Sequence, residues 1–389
     1  MAATEKGVWD LQEVRDKQLA SEWSYDTTTH KLFMWGHGRF GQLGQNQGPG
    51  GNTDDRSSPT QIPGTTWGTY VTNAGYQAKS IKSDGTLWTW GRNNRGQQGI
   101  NSQQDKSSPT QVGAGDDWKS VNSFLYGAFA TKTNGTLWSW GDNRQGQLGH
   151  NNKTEYDSPK QIGTDTNWNI VADDLSGYGT TPVVGAIKTD GTLWSWGYNY
   201  NGQVGQNNRT NYSSPTQVPG TTWSTVAFGP NLGIALKTDG TMWAWGHNNN
   251  GELAQNNRTA RSSPVQIPGT TWSACDTGNG EGCMAIKTDG TLWGWGAGLN
   301  GSLGLNTANA YLSSPTQVGT NTNWSKISVG FSYCFGVKTD GTLWGWGYEE
   351  RGSLGTNNLI KYSSPTQIPG TNWVDATASY FQSSGIQQL

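Results

Sequence analysis

The stretch Thr189-Asp190-Gly191-Thr192-Leu193-Trp194-Ser195-Trp196-Gly197 decides the fold, because close copies of it recur along the whole chain. A supersecondary unit that repeats at a period of about fifty residues indicates one repeat architecture rather than several unrelated domains. Functional differences must therefore lie where the copies differ. The Trp-Gly pair that closes each copy ends at seven glycines: Gly36, Gly91, Gly141, Gly197, Gly246, Gly296 and Gly347.

The fourth copy shows the strand pattern of the unit. Residues 184–188 form a short apolar run, Asp190-Gly191 is a strong hairpin signal, and residues 192–196 alternate β-branched and aromatic side chains. After a polar, Gly-containing loop, residues 213–218 and 223–227 predict two more strands around a Pro-Gly turn. We name the strands A, B, C and D in chain order. Four antiparallel strands in each of seven copies predict an all-β fold, a seven-bladed β-propeller.

The two ends of the repeat region complement each other. The first copy has a strand B at residues 32–35 without a full strand A, whereas residues 373–387 supply a D and an A without a B. We therefore predict that the C-terminal strand pairs with the N-terminal strand and closes the ring. The predicted propeller domain covers residues 31–389.

Residues 1–30 lie outside the repeat and form a predicted N-terminal extension. Asp10 and Glu13 have the spacing of a capping box, and apolar residues follow at approximately helical spacing. This pattern predicts a short amphipathic helix over residues 11–22. The helix either caps the ring or attaches it to a larger assembly.

Composition indicates a core built from a few large aromatic residues. Only 32% of the 389 residues are hydrophobic, but 22 are Trp, and most of these stand at repeated positions. One buried Trp removes roughly 150–250 Å² from water, so such a core needs no disulfide. We expect Cys275, Cys283 and Cys334 to be buried small side chains, with a Cys275–Cys283 bridge as the minority alternative.

Charge and hydropathy exclude several classes of partner. The formal net charge is -2 and no run of Lys or Arg occurs, so binding to the phosphate backbone of nucleic acid has no electrostatic basis. The sequence also shows neither a cleaved signal peptide nor an apolar stretch of membrane-spanning length.

The segment from Gly135 to Gly149, Gly-Thr-Leu-Trp-Ser-Trp-Gly-Asp-Asn-Arg-Gln-Gly-Gln-Leu-Gly, resembles the repeat of the regulator of chromosome condensation family. The resemblance extends over residues 31–389 and implies a seven-bladed propeller. It implies no single activity, because members serve as nucleotide exchange factors, β-lactamase inhibitors, photoreceptors and binding scaffolds. The N-terminal residues 7–14 are similar to short segments of structural proteins of marine bacteriophages.

Aromatic residues mark a predicted binding face. In antiparallel blades the A–B and C–D turns share one face of the disc, and the B–C and D–A loops share the other. Rings on loops of a rigid scaffold are typical of a recognition surface, although some rings could instead fill the central channel. The candidates in the D–A loops are Tyr76, Phe124, Tyr126, Tyr178, Phe331, Tyr333, Tyr380 and Phe381, and those in the B–C loops are Tyr156, Tyr212, Tyr311 and Tyr362.

Catalysis finds little support in the sequence. The four His residues are spread over the copies, and the many Asp-Gly pairs are explained by turns that need positive φ. We therefore predict no catalytic residue, no metal site and no cofactor.

The sequence thus favours a non-enzymatic recognition propeller, a virion appendage or other surface-assembly component that binds a protein or a surface glycan through its variable loops. The alternative is a soluble cytoplasmic regulator of one protein partner, of the GTPase exchange factor or enzyme-inhibitor type.

Overall fold

The computed structural model describes residues 29–47, 54–173, 182–278 and 282–389. These residues form β-strands joined by turns and loops, and a single 3-10 turn at Leu299–Gly301 is the one helical element among them. The same residues include no helix of sufficient length and apolarity to cross a membrane. The predicted helix over residues 11–22 and the predicted site residue Tyr178 lie outside the described residues.

The strands form seven four-stranded antiparallel blades, which confirms the predicted all-β propeller. Five blades are separate sheets, and two are joined into one eight-stranded sheet by a single pair, His30 with Trp67. Within each blade the order is D, A, B, C, and the D strands of adjacent blades contact one another, so D is innermost.

The innermost D strands begin at a repeated Trp. They are β3 (Trp67–Ala74), β7 (Trp118–Phe124), β11 (Trp168–Asp173), β15 (Trp223–Gly229), β19 (Trp272–Thr277), β23 (Trp324–Val329) and β27 (Trp373–Ala378). The A strands are largely buried. They are β4 (Gln77–Lys82), β8 (Gly127–Lys132), β12 (Val183–Lys188), β16 (Leu232–Lys237), β20 (Gly282–Lys287), β24 (Tyr333–Lys338) and β28 (Gln382–Gln388).

The B strands carry the Leu-Trp-x-Trp-Gly theme. They are β1 (His30–Gly36), β5 (Leu87–Gly91), β9 (Leu137–Gly141), β13 (Leu193–Gly197), β17 (Met242–Gly246), β21 (Leu292–Gly298) and β25 (Leu343–Gly347). The C strands form the outer rim. They are β2 (Arg56–Gln61), β6 (Lys106–Gln111), β10 (Tyr156–Gln161), β14 (Tyr212–Gln217), β18 (Arg261–Ile267), β22 (Ala310–Gln317) and β26 (Tyr362–Ile368).

The last blade combines strands from both ends of the repeat region, as predicted. Strand β28 pairs with β1 in continuous antiparallel register from His30 opposite Gln388 to Gly36 opposite Gln382. We call this blade, made of β27, β28, β1 and β2, the closing blade. Blades 1 to 6 are β3–β6, β7–β10, β11–β14, β15–β18, β19–β22 and β23–β26.

A hydrogen bond from a buried indole joins each blade to the one before it. Trp196 of blade 3, which is fully buried, donates its Nε1–H to the Gln147 carbonyl of blade 2 at 2.8 Å. The same bond recurs at every blade boundary, with lengths between 2.7 and 3.0 Å: Trp35 to Ser353, Trp90 to Gln42, Trp140 to Gln97, Trp196 to Gln147, Trp245 to Gln203, Trp295 to Glu252 and Trp346 to Ser302. The repeated Trp of the sequence therefore makes an equivalent inter-blade hydrogen bond at all seven boundaries.

A second repeated contact places a lysine between two indoles of its own blade. In blade 4 the Lys237 Nζ lies 4.8 Å from the Trp223 ring centroid and 4.7 Å from that of Trp243. Each such cation–π contact contributes about 0.5–1 kcal/mol. The closing blade has Gln387 and Phe33 at the corresponding positions, and Phe33 packs against Trp373 at 5.4 Å.

Polar side chains on the inner strands make further links around the centre. In blade 5 the two carboxylate oxygens of Asp276 accept N–H groups of Thr277 at 2.9 Å and of Val329 in blade 6 at 2.8 Å. Burial raises the pKa of Asp276 to about 7, against the opposing effect of these two hydrogen bonds. The three cysteines are buried and free, which confirms the prediction that they are small core side chains.

Replacing Trp196 with Phe tests the indole bonds. The variant leaves the buried Gln147 carbonyl without its partner and removes part of a packed ring, so we expect a loss of about 2–4 kcal/mol in unfolding free energy. The matched control is Trp194→Phe, because that indole bonds only Thr192 within its own blade; it should lose about 1 kcal/mol. Denaturant unfolding measures both, and equal losses would contradict a special role for the inter-blade bond.

Asp276 predicts a specific pH dependence. Because its pKa in the folded protein is raised from the ordinary 3.8, the folded state holds a proton that the unfolded chain has lost between about pH 4 and pH 7. This group therefore makes the fold less stable as pH rises through that window. The melting temperature of the wild type, relative to Asp276→Asn, should fall between about pH 4 and pH 7. If the melting temperatures of the two proteins change with pH in the same way across this range, the raised pKa of Asp276 is refuted.

Candidate functional site

The D–A turns and the B–C loops are locked together on one face by a repeated backbone contact. In the closing blade and blades 1, 2, 3, 4 and 6, the residue after Trp-Gly donates its N–H to a carbonyl of the D–A turn; Arg92 to Tyr76 and His37 to Phe381 are examples, both at 2.8 Å. Gly36 has φ +92°, and a Cβ there would lie 2.3 Å from the Phe381 carbonyl oxygen, so this position requires glycine. In each of these blades the bond holds a residue of the B–C loop beside a residue of the D–A turn, and both positions vary between the copies.

Several aromatic rings meet on this face near the closing blade. The Tyr76 ring centroid lies 4.9 Å from that of Phe40 and 6.4 Å from that of Tyr380. Tyr380 in turn lies 4.0 Å from Phe381 and 4.9 Å from Phe331. All five rings are half-buried, so they support one another and keep part of their surface in solvent.

Two arginines extend this cluster. The Arg92 guanidinium carbon lies 4.9 Å from the Phe40 centroid and 6.0 Å from that of Tyr126, and Arg39 lies 5.5 Å from Phe40 on an exposed part of the loop. The cluster spans the closing blade and blades 1, 2 and 6. We call it the aromatic patch and define it as Phe40, Tyr76, Tyr126, Phe331, Tyr380 and Phe381 with Arg39 and Arg92.

Five of the predicted site residues belong to the aromatic patch: Tyr76, Tyr126, Phe331, Tyr380 and Phe381. The sequence analysis missed Phe40, Arg39 and Arg92, which stand in B–C loops. Aligning the seven copies would have singled out Phe40, because the residue before the loop glycine is polar or charged in every other copy.

Phe124 and Tyr333 correct the prediction, because both are core residues rather than parts of a binding face. Phe124 is 2% exposed and packs against Phe129. Tyr333 is 1% exposed, and its hydroxyl donates to the Gln382 carbonyl at 2.8 Å and accepts the Ser379 N–H at 3.1 Å. Tyr333 begins strand A, where the side chain faces the next blade, and burial raises the pKa of its phenol.

The tyrosines predicted in the B–C loops lie in the outer strands instead, away from the patch. Tyr156, Tyr212 and Tyr362 each begin a C strand and are half-buried, and an Asn four residues earlier donates to each hydroxyl, at 2.9 Å for Tyr212. This repetition indicates a structural role at the rim. Tyr311 is 48% exposed and pairs with Ala297 in strand β21.

Electrostatics in the patch favour neutral rings. Burial raises the pKa of Tyr76, although the nearby Arg92 acts in the opposite direction. Burial also lowers the pKa of His37, whose ring lies 5.8 Å from that of Tyr76. Neutral tyrosine and histidine rings beside guanidinium groups form a surface that presents aromatic faces and positive charge together.

Comparisons with known proteins agree with this architecture. A family model described as the regulator of chromosome condensation repeat matches residues 29–71, 84–123, 134–172, 190–236, 239–278, 289–337 and 340–384, and a second model of that repeat matches residues 223–252. A comparison with curated protein sequences found no significant match.

Solved structures show the same fold at low sequence identity. The human protein WBSCR16 is 19% identical with a TM-score of 0.79, over 92% of this chain and 98% of that chain. Yeast RCC1 (Prp20), in a structure with Kap60 bound, is 18% identical with a TM-score of 0.80, over 93% and 90%. Prp20p from Saccharomyces cerevisiae, in a second structure, is 17% identical with a TM-score of 0.80, over 96% and 95%.

Tyr333→Phe tests the corrected role of this residue. Losing the hydroxyl leaves the buried Ser379 N–H without its partner and removes one of the two side-chain donors to the Gln382 carbonyl, the other being Asn73. We therefore expect the unfolding free energy to fall by about 1–3 kcal/mol. The control Tyr200→Phe changes a side chain that is 66% exposed and should leave stability unchanged. Thermal unfolding measures both, and an unaltered Tyr333→Phe transition would contradict the stabilising role of the buried hydroxyl.

Proposed function

Because the chain belongs to the regulator of chromosome condensation repeat family, we propose that it is a non-enzymatic propeller that recognises a protein partner through the aromatic patch. The observation that carries the proposal is the gathering of six rings and two guanidinium groups, from four blades, at one site. Tyr, Phe and Arg are the residue types enriched where proteins bind one another.

The scaffold supports this proposal because it holds the patch rigid before binding. Tyr76 and Phe381 sit on turns whose carbonyls are bonded to the neighbouring loops, and the Phe40 N–H is bonded to the Gln42 side chain at 2.7 Å. A preorganised surface loses little conformational entropy when a partner docks. Rigid display is therefore the mechanism that we propose.

The aromatic patch is confined to one part of the propeller, although the blades are otherwise alike. In blade 4 the D–A turn carries Pro230 and Asn231 instead of an aromatic pair, and the residue equivalent to Phe40 is Asn250. A structural requirement of the repeat would place rings in every blade. Their concentration around the closing blade therefore favours a binding role over a packing role.

Among the similar structures, that of yeast RCC1 contains bound Kap60, and that of Prp20p is described with its binding to Gsp1p and histones. These partners are proteins, which is consistent with the class of ligand proposed for this chain. The predicted virion location and the alternative, an exchange factor or enzyme inhibitor, remain predictions from the sequence.

Selection from a random peptide library tests the proposal without knowledge of the natural partner. Twelve-residue peptides displayed on yeast would be enriched for binding to the full chain, and each enriched clone would then be titrated against variants. We expect Tyr76→Ala and Tyr380→Ala to weaken most clones at least tenfold, because they remove rings from the centre of the patch. Tyr200→Ala, a change on the same face in blade 3, is the matched control and should have no effect.

Clones that bind both patch variants as well as the wild type would refute the proposal. A glycan array bound through Tyr76 and Tyr380, with no patch-dependent peptide, would also refute it in favour of a glycan ligand. Melting temperatures of the variants show whether any loss of binding reflects unfolding.

A further inference from the structure

The arginines around the aromatic patch fall into two groups. Three of them are paired with carboxylates of the same chain: Arg144 with Asp142 at 2.7 Å, Arg351 with Asp55 at 3.4 Å, and Arg95 with Glu155 at 3.7 Å. Arg39 and Arg92 have no ion pair and no guanidinium hydrogen bond within the described residues. All five arginines stand in B–C loops. The kind of loop therefore does not explain why three have a carboxylate partner and two do not.

The two unpaired guanidinium groups share one ring. The guanidinium carbons of Arg92 and Arg39 lie 4.9 and 5.5 Å from the Phe40 centroid, and that of Arg92 also lies 5.8 Å from the Tyr76 centroid. When a guanidinium contacts a ring through its flat face, its N–H donors remain at the edge, where they match the two oxygens of a carboxylate. Arg92 is half-buried and Arg39 is exposed, so a ligand in solvent can reach both guanidinium groups.

The ligand that fits is a carboxylate-bearing peptide segment with apolar side chains between its acidic residues. The rings of Phe40, Tyr76 and Tyr380 would take the apolar side chains, and Arg39 and Arg92 the carboxylates. A long polyanion such as nucleic acid fits less well, because Asp55 and Glu350 lie beside the patch on the Arg351 side and the chain carries a net charge of -2.

We infer that the aromatic patch binds an acidic segment of its protein partner, with carboxylates bonded to Arg39 and Arg92, the two arginines that contact Phe40. The inference rests on the proposed function and adds to it the chemistry of the partner. Attraction between unlike charges at a partly exposed site also makes binding sensitive to ionic strength.

Two synthetic peptides provide the probe. One is fluorescein-labelled (Glu-Phe-Glu-Gly)3 and the other is the neutral match (Gln-Phe-Gln-Gly)3, each titrated with the full chain by fluorescence anisotropy at 50 and 300 mM NaCl. We expect the acidic peptide to bind at least tenfold more tightly at low salt, and the advantage to shrink at high salt. Arg92→Gln and Arg39→Gln should each reduce its affinity about five- to tenfold.

The matched control is Arg209→Gln, which removes an exposed charge from a B–C loop of blade 3 and should change affinity less than twofold. Equal affinity for the two peptides, no binding of the acidic peptide, or indifference to Arg92→Gln would overturn the inference. Tighter binding of a single-stranded oligonucleotide through the same arginines would also overturn it. If library clones depend on Tyr76 while acidity brings no gain, the proposed function stands and this inference alone fails; if no clone depends on Tyr76, the proposed function fails first.

Discussion

The hydrogen bond from the Trp-Gly indole to the carbonyl of the preceding blade is the interaction on which the ring depends. It occurs at all seven boundaries, between fully buried partners, and so fixes the distance and the angle from one blade to the next. At six of the seven boundaries a loop glycine lies against the indole: at Gly355 a Cβ would lie 2.7 Å from the Trp35 Nε1. Ala254 stands at this glycine position in blade 4 and still adopts φ +56°. The positive φ at this position is therefore imposed by the packing of the propeller and does not require glycine.

Much of the architecture could be predicted from the sequence, because each part of it has a local signal that repeats. Asp-Gly turns, Trp-x-Trp strands and the missing A strand of the first copy led directly to blade number, strand order and closure. The closing pair of β1 and β28 follows from counting the strands at the two ends. These features depend on turn residues and strand patterns, which can be identified in a single sequence.

The site was predicted only in part, because burial depends on which way a side chain faces across a blade boundary. Tyr333 and Tyr76 both follow a D strand, yet one is the first residue of strand A and faces the next blade, while the other occupies the turn and faces solvent. A shift of one position along a strand reverses the direction of the side chain. Arg39 and Arg92 were missed for a different reason, since only the three-dimensional structure shows that two separate loops bring them to the same ring.

Closure of the ring by β1 and β28 also determines which face of the disc carries the start of β1 and the end of β28. The Leu389 N–H is bonded to the Thr29 carbonyl at 2.9 Å, so both ends of the described chain meet. They meet beside the A–B turns, on the reverse side from Tyr76 and Phe40. An attachment made at this junction would therefore hold the disc by the face opposite the aromatic patch and leave the patch open to a partner.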